Sequence, residues 1–291
     1  AAARKNGKSA ANRQQHLTKR LKELESSSAK PTPSDLHVLI DVLLEQGTNL
    51  DDELLFRLWR TALTIACDLP LGQATPTDGD PAENADAQLF VAGELPRRVG
   101  LLYADIKGAT KLRRRGSKFI RRELADRTDG DGTPHATLLP RLGYWLASLI
   151  RSGQWASRFR ASLWDDDSSI LFNDLLENAI RLYRPAGRLA MSNGFIAEPQ
   201  NLFHAAAQLA GSDFKIPELA YAWNGRGSRG GKSKLKKQHT LTRNQWRQLD
   251  VVPASQSDWA DLACLRSDWE PACNSIIVNY NGAMPQIDMT V

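Results

Sequence analysis

Two side chains that could transfer protons stand near the start of one expected helix. His135 follows Pro134 after a run rich in Gly and Asp, and the positive N-terminal end of a helix suits an anionic ligand. Tyr144 stands about two and a half helical turns further along. Imidazole and phenol groups both serve as general acids and bases. The alternative is that His135 caps the helix and that Tyr144 packs in the core with its hydroxyl at the surface.

Asn193 and His204 are two further candidates. Asn193 stands before Gly194 in an expected turn, where its amide could face a carboxylate or could simply stabilise an unusual backbone conformation. His204 stands among apolar residues, so a packed histidine and a substrate-binding histidine are both open. The Cys and His residues do not have the spacing of metal ligands, so we expect no metal.

The elements that must position these residues are mainly helices. Apolar residues recur at helical spacing through most of the chain up to about residue 211. Ser34 and Asp51 are expected N-caps, and Ser168 or Ser169 is expected to cap a later helix. Pro199 is expected to be the first residue of a further helix. Residues 70–87 have no period and are predicted to form a long surface loop. Helices joined by short turns are expected to pack as successive hairpins, in a ring or solenoid.

The character of the sequence changes after residue 211. Residues 275–280 are rich in β-branched residues and are predicted to form a strand, and Asn281-Gly282 is a hairpin signal. We therefore predict four regions: a basic N-terminal arm (1–33), a helical domain (34–223), a basic Gly/Ser-rich linker (224–254), and strands that begin a β-domain (255–291).

Composition is that of a globular protein, with 42% hydrophobic and 24% charged residues in 291. No stretch approaches the roughly 18 apolar residues of a membrane span. The net charge of +5 includes two basic runs, with seven Lys or Arg at 111–122 and six at 226–237. A solvated helix face and a surface loop explain these runs, but an acidic polymer is also a fitting partner.

Three segments together resemble the heparinase II/III-like polysaccharide lyases. Residues 128–135 (TDGDGTPH) resemble the turn that opens a toroid helix in that family, and residues 181–194 (RLYRPAGRLAMSNG) resemble its helix–Gly segment. Residues 259–282 resemble the first strands of its β-sandwich. The sequence departs from the family because Ala136, Thr137 and Leu138 stand where an acidic residue is expected.

The resemblance implies an (α/α) toroid of helical hairpins followed by the first strands of an antiparallel β-sandwich. It also implies β-elimination on an anionic uronic-acid polysaccharide, without a cofactor, in the periplasm or outside the cell. His135 and Tyr144 are then the predicted catalytic residues, and the predicted substrate-binding residues are Asn193, His204 and Arg188. The alternatives are a non-catalytic helical-repeat protein that binds nucleic acid through its basic surface, and a helical scaffold for protein partners.

Overall fold

The computed structural model describes residues 15, 18–19, 21–22, 33–46, 50–68, 81–183, 189–191, 199–210, 252–267 and 274–290. The chain divides into two compact units. One contains residues 1–73 and 90–116, and the other contains residues 74–89 and 117–291.

In the first unit, helix α1 (Pro33–Gln46) packs on α2 (Asp52–Asp68), and α2 packs on α4 (Leu95–Leu102). The Asp51 carboxylate accepts a 2.8 Å hydrogen bond from the backbone N–H of Leu54, which confirms Asp51 as the N-cap. Helix α1 begins one residue before Ser34, so that expected cap is wrong. The apolar stripes meet in one core, whose buried members include Leu36, Leu39, Ile40, Leu54, Leu58, Ala62 and Val99.

Charged side chains are also buried in the first unit. Arg98 donates from its two terminal nitrogens to Glu94 and to Asp41, each at 2.9 Å. Glu94 and Arg98 are almost wholly buried, so each charge requires its partner. Glu94 ends a π-helical segment (Leu89–Glu94) that leads directly into α4.

A close approach of backbones explains Gly116 on α5 (Ala109–Arg127). A Cβ at Gly116 would lie 2.5 Å from the carbonyl oxygen of Gly93 and 2.7 Å from the amide nitrogen of Arg97. Glycine therefore allows this part of α5 to lie directly against the start of α4.

The second unit contains most of the remaining helices. They are α3 (Pro81–Gln88), a 3₁₀ turn (Ala136–Leu138), α6 (Leu142–Arg158), α7 (Asp166–Arg181) and α8 (Pro199–Ala210). Pro199 is the first helical residue, as expected. The predicted loop at 70–87 is wrong from residue 81 onward, because α3 forms there and packs on α6.

The N-cap of α7 is Asp165 and not a serine. The Asp165 side chain accepts from the backbone N–H of Ser168, and the Ser168 hydroxyl accepts from the backbone N–H of Asp165 at 3.0 Å. This capping box satisfies two backbone donors at once. The sequence prediction therefore found the right turn but exchanged the capping residue with its partner.

The strands form one antiparallel sheet in the order β1-β2-β3-β4. Their bounds are Ser255–Ser257, Leu262–Arg266, Ser275–Asn279 and Gln286–Thr290. Leu262, Cys264 and Ile277 on one face are buried in the same core as Trp145 and Leu149 of α6. The sheet therefore packs on the helices of its own unit.

The other face of the sheet is apolar and largely open. Two rows of paired residues run across it: Leu265, Ile276 and Met289 in one row, and Ala263, Val278 and Ile287 in the other. Leu265, Ile287 and Met289 are exposed.

These observations confirm a mainly helical chain that ends in antiparallel strands. Within the described residues, no helix is both long and apolar enough to cross a membrane.

Candidate functional site

The loop at residues 128–134 is shaped by its aspartates. One Asp129 carboxylate oxygen accepts from the backbone N–H groups of Asp131 (3.1 Å) and Thr133 (3.0 Å). The backbone N–H of Asp129 in turn donates to the carbonyl of Thr133 at 3.1 Å. Such Asx turns are why short polar side chains and glycine dominate tight loops. The loop is thus closed on itself before it reaches His135.

Helix α7 supports this loop from one side. The Asn178 side-chain amide donates to the carbonyl of Asp131 at 2.8 Å, and Arg181 donates to the Asn178 side-chain oxygen. Gly132 has a φ of +79° and lies directly against the backbone of Asp174. Only glycine combines this backbone conformation with so close an approach.

The pKa values of the neighbouring carboxyls Asp129 and Asp131 shift in opposite directions. Burial and the hydrogen bond with Asp131 raise the pKa of Asp129. At Asp131 burial acts to raise the pKa, but hydrogen bonds with Asp129 and Thr133 outweigh it, so the pKa of Asp131 is lowered. The other oxygen of Asp129 is hydrogen-bonded to the Ser257 hydroxyl, which ties the loop to strand β1.

His135 caps the 3₁₀ turn that follows the loop. Its ring nitrogen Nδ1 accepts from the backbone N–H of Thr137 at 3.3 Å, and the Thr137 hydroxyl lies 2.9 Å from the same nitrogen. The backbone N–H of His135 donates to the carbonyl of Arg127 at 3.0 Å. The side chain remains 26% exposed. His135 is therefore a capping residue, as one of the two sequence interpretations held, and its ring still reaches the surface.

The turn between β1 and β2 lies against His135. The backbone N–H of Ala136 donates to the carbonyl of Ala260 at 2.8 Å. This contact places Asp261 and Trp259 beside the imidazole. His135 Nε2 is 3.9 Å from a carboxylate oxygen of Asp261, and the Trp259 ring meets the imidazole edge-on with 5.3 Å between centroids. Trp259 is 49% exposed, so a flat aromatic surface is open to a ligand next to His135.

Tyr280, directly after strand β3, stabilises the same turn. Asp261 has a φ of +53°, an uncommon conformation that Asp tolerates better than most residues. Its carbonyl accepts from the backbone N–H of Tyr280 at 3.0 Å. The Tyr280 hydroxyl donates to the carbonyl of Ser257 at 2.8 Å. Strand β3 and the turn after it therefore stabilise the conformation that presents the Asp261 carboxylate to His135.

Tyr144 has different neighbours. The Arg141 guanidinium lies over the Tyr144 ring, 4.3 Å from its centroid, and Arg141 is paired with Asp86 at 2.9 Å. Burial raises the pKa of Asp86 in spite of this pairing. Tyr144 is 39% exposed. Among the described contacts, Tyr144 and His135 share neither a hydrogen bond nor a ring contact, so the structure does not join the two predicted catalytic residues directly.

The predicted substrate-binding residues have no described side-chain positions. Asn193 and Arg188 lie outside the described residues, and His204 lies in α8 but its side chain is not described.

Two neighbours of His135, Trp259 and Asp261, were missed as site residues. The resemblance places both residues in the first strands of the β-sandwich. The Asp-x-x-Asp run at residues 258–261 is a turn signal, and it could have placed them in a turn instead. Trp145 and Trp155 on α6, by contrast, are buried.

The basic run at residues 111–122 lies on α5, and several of its charges have partners. Arg121 is paired with Asp165 at 2.6 Å, and Arg122 is 3.7 Å from Asp126. The second basic run, at 226–237, lies outside the described residues. In the part of the chain that the structure describes, no group of three or more His, Cys, Asp or Glu side chains is placed to hold a metal.

Comparison of the chain with protein-family models, curated proteins and solved structures finds no match.

Proposed function

We propose that this protein is a polysaccharide lyase that cleaves an anionic, uronic-acid-containing polymer by β-elimination. The observation that carries the proposal is the position of His135 beside the half-exposed ring of Trp259. A histidine next to an open aromatic surface suits a sugar polymer, because the aromatic ring offers flat apolar area and the imidazole offers polar contacts.

The proposed reaction has three requirements. A base removes the proton on the carbon beside the uronate carboxylate, and the electron pair of that C–H bond becomes the new C=C bond. The bond to the glycosidic oxygen breaks, and a proton is delivered to that oxygen. Hydrogen-bond donors must stabilise the enolate-like charge that develops on the carboxylate.

In this proposal Trp259 stacks on a sugar ring and His135 faces the reacting uronate. Tyr144, which is 39% exposed, remains the candidate for proton transfer, and Asn193, Arg188 and His204 remain candidates for binding the polymer. The toroid and the β-sandwich are part of the same proposal. They are supported by the paired helices and by the antiparallel sheet packed on helices of its own unit.

The test is incubation of the full chain with heparin, heparan sulfate, alginate and related uronates, while the absorbance of a new C=C bond is followed. We expect one polymer to be cleaved. We expect His135→Ala to reduce kcat by about 100-fold or more and Trp259→Ala to raise KM, with Trp259→Phe close to wild type. Phe56→Ala, which removes an exposed aromatic ring from the first unit, is the matched control. Absence of product with every polymer would refute the proposal.

A second candidate is a non-catalytic protein that binds nucleic acid. It is favoured by the exposed cations Lys111, Arg114 and Lys118 on α5. Binding to DNA that weakens steeply with salt, together with no cleavage of any uronate, would favour this candidate over the lyase.

A further inference from the structure

The two nitrogens of the His135 ring are in different surroundings. Nδ1 accepts from the backbone N–H of Thr137, and a backbone N–H can donate only to a nitrogen that carries a lone pair. The Thr137 hydroxyl, 2.9 Å from the same nitrogen, can donate to it as well. This arrangement favours the tautomer of the neutral ring that carries its proton on Nε2. That nitrogen faces the carboxyl group of Asp261, whose oxygens are hydrogen-bond acceptors.

We infer that His135 acts as a hydrogen-bond donor through Nε2, with Asp261 as its positioning residue, and that it is not the proton-abstracting base. The inference rests on the proposed function for its substrate: the Nε2–H would donate to an oxygen of the uronate as charge develops there. A base needs a lone pair directed at the substrate. In His135 the lone pair is already occupied by the Thr137 amide.

Asp261 is suited to a positioning role for two reasons. Its backbone is held in a left-handed conformation, with its carbonyl bonded to the backbone N–H of Tyr280, which fixes the direction of its Cα–Cβ bond. The 3.9 Å separation from Nε2 is longer than a hydrogen bond, so the Asp261 carboxyl group does not occupy the Nε2–H. The Nε2–H can thus donate to a ligand oxygen while Asp261 keeps the ring orientation.

The backbone at this turn supports the same assignment. The contact between the Ala136 N–H and the Ala260 carbonyl links the residue after His135 to the residue before Asp261. Trp259, the residue before Ala260, contacts the imidazole with the two rings nearly perpendicular. The imidazole is therefore restrained at Nδ1 and along one edge, and the Nε2 side is the one directed toward the carboxylate.

The first test does not depend on activity. The full chain, labelled with ¹⁵N-histidine, is measured by NMR above about pH 8, where imidazole is neutral. The His135 signals are assigned by their loss in His135→Gln. We expect His135 to be protonated at Nε2 and unprotonated at Nδ1. A proton on Nδ1, or rapid averaging of the two nitrogens, would overturn the inference.

The second test separates a donor from a base. A Gln amide can donate near the position of Nε2 but cannot accept a proton at neutral pH, so a donor role predicts that His135→Gln retains at least about a tenth of wild-type kcat. His135→Ala should lose about 100-fold or more, as expected for removal of a donor to a developing charge. An equal loss in the two variants would contradict the donor role.

Asp261→Asn tests the positioning role with little change in backbone preference, because Asn also tolerates the left-handed conformation. We expect kcat to fall on the order of tenfold with KM unchanged. Asp126→Asn is the matched control: this exposed carboxylate lies on α5, 3.7 Å from Arg122, and kcat should not change. Equal effects in the two variants would overturn the role of Asp261. If no polymer is cleaved, the proposed function fails, and the NMR measurement still decides the state of His135.

Discussion

Gly132 should be among the least replaceable residues of the candidate site. It combines a φ of +79° with a position against α7, where a Cβ would lie 2.5 Å from the Asp174 carbonyl carbon and closer still to the backbone nitrogen of Leu175. The neighbouring atoms are helix backbone, so they cannot rotate away as a flexible side chain would. Gly132→Ala must therefore distort either the loop or the helix.

The magnitude follows from two separate terms. A non-glycine residue in the left-handed region costs about 1–2 kcal/mol. Overpacking against a backbone adds about 1–3 kcal/mol. We therefore expect Gly132→Ala to lower the free energy of unfolding by about 2–5 kcal/mol, measured by urea denaturation.

Two other glycines of the same unit separate these terms. Gly130 has open space around its Cβ position and no positive φ, and Gly282 has open space with a φ of +126°. Gly130→Ala should be neutral or slightly stabilising, and Gly282→Ala should show the backbone term alone. If Gly132→Ala loses no more stability than Gly282→Ala, the result would contradict the overpacking term against α7. A loss equal to that of Gly130→Ala would refute both terms.

Three further predictions concern charge, pH and the open face of the sheet. Arg141→Gln leaves the Asp86 carboxylate unpaired and should lower the free energy of unfolding by about 2–3 kcal/mol in urea denaturation. Arg122→Gln, at an exposed pair, should change that free energy by less than about 0.5 kcal/mol. Equal losses in the two variants would contradict this prediction. Burial raises the pKa of Tyr103 to about 12, above its unfolded value of about 10. The stabilisation that comes from keeping this phenol protonated is therefore complete below pH 10 and is lost as pH rises through 12. Tyr103→Phe should flatten the curve of unfolding free energy against pH between about pH 10 and 12, and an unchanged slope would refute this prediction. Ile287 is 66% exposed on the open face of the sheet, so Ile287→Thr should lower the free energy of unfolding by less than about 1 kcal/mol in urea denaturation. A loss above about 2 kcal/mol would contradict the open face.

Local signals in the sequence predicted local structure well. The Asp51 cap, Pro199 as the first residue of α8, and the turn-rich break before His135 are each set by a few neighbouring residues. The loop prediction at 70–87 was wrong from residue 81 because α3 has few apolar residues and little periodicity. This helix is stabilised by its packing on α6, which a local pattern does not contain. The π-helical turn at 89–94 has no local sequence signature either.

The sequence by itself determined the helical character, the strand-forming end of the chain, and the turn before His135, because these follow from periodicity and turn chemistry over a few residues. It left His135 open between a capping role and a catalytic role. Only the tertiary structure decided what faces His135. Trp259 and Asp261 reach it because the inner face of the sheet is buried on the helical core and because Asp129 and Ser257, 128 positions apart in the chain, are hydrogen-bonded. Tyr144 faces Arg141 instead. Such contacts depend on how apolar faces from distant segments pack together, and that packing is a property of the whole fold.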